Sequence, residues 1–156
     1  MAIDFLAQQH REAEQLMSRI RTSNGPEKIR LLGDLAEALT LHTTLEERYF
    51  YPVIRNHGME DVVDRSIAEH GQVRRLLSEM LSMKKSDPRL NETISRLEAA
   101  VRAHVEEEER TVFPQTKERV DPEELSALED QMRRASQALE NGELIEAADD
   151  EQVPAV

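Results

Sequence analysis

Two pairs of residues have the types and spacing to bind a metal. His42 and Glu46 stand four apart, and so do His104 and Glu108. On a helix that spacing turns both side chains to one face, about 40° apart. An imidazole beside a carboxylate is a ligand pair of intermediate hardness, suited to iron, manganese or zinc. Both pairs lie inside apolar stripes: Leu32, Leu35, Leu39, Tyr49 and Val53 flank one, and Leu90, Ile94, Leu97, Val101 and Val112 flank the other. His10 falls among Ile3, Leu6, Ala13, Met17 and Ile20, and His70 among Val63, Ile67, Val73, Leu77 and Leu81. Burying two carboxylates without partners is very costly. No Lys or Arg occupies these stripes to neutralise them, whereas a pair of metal dications would.

Taken singly, each of these histidines is better read as a hydrogen-bonded core residue. With 23 Glu in 156 residues, any His has roughly one chance in seven of a Glu at i+4. The weight comes from recurrence. With His70 set under His10, Val63 lies under Ile3, Asp64 under Asp4, Leu76 under Leu16 and Ser78 under Ser18. With His104 set under His42, HTTLEERYFYP overlies HVEEEERTVFP and shares His, Glu, Glu, Arg and Pro. The chain thus reads as two copies of a helical hairpin, each with one His on its first helix and H-x-x-x-E on its second. The repeat puts His10 and His42 on one metal, His70 and His104 on a second, and Glu46 and Glu108 between them.

The elements that must position these residues are helical. A first helix is expected from about Ala2 to Arg21, broken by Thr22-Ser23-Asn24-Gly25. A second runs from Pro26 to about Asn56, with Pro52 kinking or fraying its end and Asn56-His57-Gly58 as a turn. A third spans roughly Glu60 to Lys85, and a fourth roughly Pro88 to Lys117. Short turns between long helices imply an all-α, antiparallel up-down four-helix bundle over 1–118. Residues 119–156 form a second segment. In it Asp121-Pro122 opens a short additional helix to about Glu140, with Leu125, Leu128, Met132 and Leu139 on one side, and an acidic tail from Asn141 is expected to be disordered. Whether that helix covers the bundle or joins two chains is open.

Several neighbours are expected to stay outside the site. Glu47, Glu107 and Glu109 should point elsewhere, Glu69 lies about 100° from His70 and is expected behind the ligands or on the surface, and His57 belongs to a surface turn. No H-E-x-x-H is present, which disfavours a zinc protease. The residues three before the histidines are Ala7, Leu39, Ile54, Ile67 and Val101, which argues against the E-x-x-H di-iron bundles.

Composition narrows the rest. Hydrophobic residues make up 38%, charged residues 33% and aromatics 3%, a mix that favours helices. The net charge is −12, but 11 acidic and 2 basic residues from Asp121 onward account for −9 of it. No basic face suited to nucleic acid is evident. There is no cysteine, which excludes disulfides, iron–sulfur clusters and thiol nucleophiles and fits a reducing cytosol. No membrane span or signal peptide is legible, so a cytoplasmic location is expected.

His10, His42-x-x-x-Glu46, His70 and His104-x-x-x-Glu108, with each H-x-x-x-E followed by an aromatic and a proline, resemble the hemerythrin-like HHE cation-binding domain over about residues 3–117. The DPEELSALEDQMRRAS segment is similar to a C-terminal extension of some bacterial members. The resemblance implies a non-haem di-iron centre bridged by carboxylates and an oxo or hydroxo group. Oxygen-carrying hemerythrins use five histidines, two of them four apart on the third helix. Here Ser66 and Arg74 stand four to either side of His70, so one iron lacks a protein ligand. Tyr51 is a candidate for that gap, because its repeat partner Phe113 cannot ligate; simple packing beside Pro52 is the slightly favoured alternative. Tyr49, one turn from Glu46, is a candidate neighbour of the ligands.

The function expected is reaction with a small oxidant, namely hydrogen peroxide, dioxygen or nitric oxide, with catalase-like peroxide removal slightly favoured. Reversible oxygen or nitric oxide binding, or iron sensing or storage, is the alternative. A purely structural bundle is the third.

Overall fold

A computed structural model describes residues 1–142 as five helices. Helix α1 is Ala2–Arg21. Helix α2 is continuous over 25–55: Gly25–Leu45, a wider π turn at Glu46–Phe50, then Tyr51–Arg55. Helix α3 is Glu60–Ser82. Helix α4 runs over 90–119 in the same pattern as α2, with Leu90–Glu107, a π turn at Glu108–Val112 and Phe113–Arg119. Helix α5 is Pro122–Glu140. No strand occurs among the described residues. The tail beyond Gly142, expected to be disordered, lies outside the described residues.

The first four helices form the expected up-down-up-down bundle. Helix α1 packs on α2 and α3 on α4, the two hairpins of the repeat. Arg21 reaches Glu98 while Arg11 reaches Glu109, so α1 and α4 run antiparallel. Arg55 reaches Asp64 while Arg74 reaches Glu47, so α2 and α3 do as well. Gly58 makes the α2–α3 turn with φ of 82°, a left-handed value that glycine adopts without strain. Arg119 then donates to the carbonyls of His57 and Gly58, tying that turn to the end of α4.

The π turns come from the two prolines that follow them. Proline has no N–H, and its ring crowds the carbonyl four residues back, so the preceding turn widens. The N–H of Tyr51 therefore bonds the carbonyl of Glu46, five residues back, and Phe113 bonds Glu108 in the same way. Pro52 and Pro114 widen their helices internally; at Pro52 a frayed or kinked end was expected. One consequence is a change of phase. Tyr49 and Val53, expected on the inner stripe of α2, are only half-buried, and Phe50, Tyr51 and Ile54 take the interior. On α3, Ile67 (39% exposed) and Leu81 (59%) also face outward; Ser66 and Met80 hold the inner positions instead.

Apolar side chains form two separate clusters. One includes Met17, Leu35, Leu77 and Leu97 at the end of the bundle that carries the α1–α2 and α3–α4 loops. The other includes Leu6, Phe50, Ile54 and Val63 at the opposite end, joined by Leu125, Leu128, Met132 and Ala135 of α5. Helix α5 lies on α1 and α2, so it covers this bundle. No helix among the described residues is long and apolar enough to cross a membrane. His10, His42, Glu46, His70, His104 and Glu108 form a buried polar layer between the two clusters.

Candidate metal centre

The bundle brings all six expected residues together, each at most 6% exposed and both carboxylates at 0%. Ligand atoms of His10, His42, Glu46 and Glu108 lie within 4.8 Å of one another, and so do those of Glu46, His70, His104 and Glu108. Two ion-sized positions therefore share both carboxylates, as the repeat implies.

Each of the four site histidines turns Nε2 inward. His10 Nε2 lies 3.2 Å from His42 Nε2 and 3.0 Å from Glu108 Oε1. His70 Nε2 lies 3.1 Å from His104 Nε2 and 3.0 Å from Glu46 Oε1. His42 Nε2 is 3.2 Å from Glu46 Oε1, and His104 Nε2 is 3.4 Å from Glu108 Oε1. Donors about 2.1 Å from one ion stand roughly 3.0 Å apart at right angles and roughly 3.4 Å apart at tetrahedral angles. The observed spacings fall in that range.

Each Nδ1 faces outward to a fixed acceptor. His10 donates to Glu109 (2.7 Å), His70 to Glu47 (2.6 Å), His104 to Glu69 (2.8 Å) and His42 to Gln9 (2.7 Å). With Nδ1 carrying the proton, Nε2 offers a lone pair, the tautomer a metal needs. Arg11 pairs with Glu109, and Arg74 with Glu47 at 2.6 Å. Glu47 and Glu109 thus do not point elsewhere as expected. They immediately follow Glu46 and Glu108 and reach across to the neighbouring helix's histidine. Of the two places expected for Glu69, behind the ligands or on the surface, it takes the first and accepts from His104. Gln9 was missed, although the repeat signals it as the partner position of Glu69.

Tyr51 also enters the site. Five residues on from Glu46 would be about 140° away on a regular helix, but the π turn swings it back over the carboxylates. Its hydroxyl donates to Glu108 Oε2 at 2.7 Å and lies 3.1 Å from Glu46 Oε1 and 3.2 Å from His70 Nε2. The slightly favoured expectation of packing beside Pro52 is therefore corrected. Its counterpart Phe113 stacks on His10, with ring centroids 5.7 Å apart and planes at 9°. Tyr49 stays with the apolar residues near α5, away from the ligand atoms. His57 bonds Glu124 at 2.9 Å in its turn, outside the site.

Without a metal, protons must hold this layer together. Burial disfavours a charged His42, but Glu46 and Glu108 outweigh it and raise its pKa to about 9. Burial likewise works against charge on His70 and His104, and neighbouring carboxylates raise both. For Glu108, burial and the Glu46 charge push upward, yet His104 and His10 bring it down to about 2. Glu46 is also held well below the usual carboxylate range against its burial, chiefly by His42. Tyr51 is pushed far up by burial and then by both carboxylates, so it keeps its proton. Glu46 Oε2 is buried with no hydrogen-bond partner among the described residues. Four imidazole Nε2 atoms and two carboxylates converge here, and one buried carboxylate oxygen remains without a partner. That donor set fits cations, and the site can hold a metal.

A cavity of about 20 Å³ adjoins the four histidines on the side away from Tyr51, walled by Leu39, Val73, Val101 and Val105. It is large enough for a single water-sized molecule.

Known proteins resemble this chain. A crystal structure of a hemerythrin HHE cation binding domain-containing protein from Mycobacterium kansasii superposes with a TM-score of 0.78 and 26% identity, covering 86% of this chain and 83% of that one. A protein of Nostoc sp. described as a DNA nickase is 29% identical over 111 residues, 70% of this chain. The matched part is 32% of that protein, so the chain spans about a third of its length. The profile of the hemerythrin HHE cation-binding domain matches residues 1–116. The chain belongs to the hemerythrin HHE cation-binding family.

Proposed function

We propose that this centre holds two iron ions and reacts with a small oxidant, hydrogen peroxide ahead of dioxygen or nitric oxide. The observation that carries the reading is the convergence of four Nε2 atoms and two shared carboxylates into two overlapping ligand groups. Iron bound there supplies electron transfer at an open coordination position, which zinc cannot. The protein's own part is to hold and shield. The outer acceptors Glu109, Gln9, Glu47 and Glu69 lock each imidazole in the metal-binding tautomer. Tyr51 stands 3.2 Å from His70 Nε2, the spacing found between the ligand atoms themselves, so its oxygen lies within reach of the His70–His104 position. Its hydroxyl holds a proton against Glu108. The cavity above the histidines admits one small molecule and excludes larger substrates. The lack of a fifth histidine leaves room at the metal for a small oxidant, which favours turnover over reversible binding.

The test is oxygen release from hydrogen peroxide by the iron-loaded protein, with Glu46→Ala as control. The wild type should release oxygen and the variant should lose most of that activity. Equal rates for both would refute the reading.

A further inference from the structure

The repeat that makes the two metal positions alike also shows where they differ. The residue before the first histidine of each hairpin holds the other histidine of that hairpin by Nδ1. In the second hairpin this is Glu69, 2.8 Å from His104. In the first it is Gln9, 2.7 Å from His42. The remaining two acceptors, Glu47 and Glu109, are both carboxylates. Three imidazoles therefore lean on an anion and one on a neutral amide. A carboxylate acceptor makes a stronger hydrogen bond and leaves the ring a better donor to a metal. The His70–His104 position also has the Tyr51 oxygen beside it, where the His10–His42 position has the ring of Phe113.

Gln9 has a second distinguishing feature. With Ala38 it lines both the internal cavity at the histidines and an outer groove of about 740 Å³ between α1, α2 and the end of α5. The amide is thus, with Ala38, part of the wall between that groove and the cavity at the histidines, on the side where it holds His42. Glu69 lines neither space.

We infer that the two metal positions are unequal: the one built on His10 and His42 is the weaker, exchangeable position, and Gln9 is the positioning residue that makes it so. This rests on the two-metal reading above. On it, the ion nearest the groove is the one that is loaded last and lost first.

The test compares wild type, Gln9→Glu, Gln9→Leu and Glu69→Gln. Each is loaded anaerobically with ferrous iron and dialysed against graded chelator, and metal per chain is measured with circular dichroism as a check on folding. The wild type should lose iron in two steps with a plateau near one ion per chain. Gln9→Glu should move the first step to about tenfold higher chelator, and Gln9→Leu should move it lower. Glu69→Gln should bring the second step towards the first. Two ions lost together, with no shift in Gln9→Glu, would overturn the inference and leave the two-metal reading standing. A wild-type chain that never takes up two ions would overturn that reading, and the inference with it.

Discussion

Replacing Tyr51 with phenylalanine removes one oxygen from the centre of the site and nothing else. In the metal-free protein that oxygen donates to the buried Glu108 carboxylate at 2.7 Å and stands 3.1 Å from Glu46. A hydrogen bond to a charged group contributes about 1.5–3 kcal/mol, and Glu108 is left with one donor fewer in a fully buried place. For a chain of this size that corresponds to a fall of about 4–10 °C in Tm. Thermal unfolding of metal-free wild type and Tyr51→Phe, followed by circular dichroism at pH 7, reads this directly. If the hydroxyl is also a metal donor at the His70–His104 position, the loss is larger after iron loading than before it. Unchanged Tm for Tyr51→Phe in both metal-free and loaded protein would refute the role given to the hydroxyl.

Other expectations follow from the same geometry. Metal uptake at pH 7 should release protons, because His42, held at about 9, is protonated in the metal-free protein and must lose that proton to bind. Uptake in weak buffer without acidification would contradict this. By the same shift, His42 stabilises the metal-free fold fully below the ordinary histidine value of 6.5, and this contribution is lost as pH rises through about 9. Glu108, depressed to about 2, contributes above the ordinary value of 4.5 and loses its contribution as pH falls towards 2. A pH titration of metal-free stability should therefore decline on both sides. Met132→Ala in α5 removes a fully buried side chain and should cost about 2–5 kcal/mol in denaturant unfolding. A cost near zero would mean that α5 does not cover the bundle in solution.

How far the sequence could be read depended on local geometry. On α1 and α4 the apolar stripes hold a regular period, and the residues expected inside, from Ile3 to Ile20 and from Leu90 to Val112, are buried. The six ligand candidates lie before or at the start of the π turns, where regular helical spacing still applies, so their convergence was legible. Beyond Glu46 a regular period fails, because the π turn shifts the phase; Tyr49 was placed too near the site, and for Tyr51 packing beside Pro52 was slightly favoured over contact with the ligands. The signal was present in Pro52 and Pro114, which cannot sit inside an unmodified helix. The outer acceptors were hidden for another reason. Glu47 and Glu109 lie beside the ligand stripe on their own helices and touch histidines of adjacent ones, a contact that no single-helix projection displays. The place of α5 was illegible too, since its amphipathic face suits a bundle surface or a second chain equally well.

The central claim is that the polar layer is built for cations. The most direct measurement is metal content per chain, by elemental analysis, on protein produced in iron-supplemented medium, with thermal stability recorded before and after chelation. The account predicts about two irons per chain and a lower Tm once they are removed. A folded protein carrying no metal, with a Tm indifferent to chelator, would contradict it.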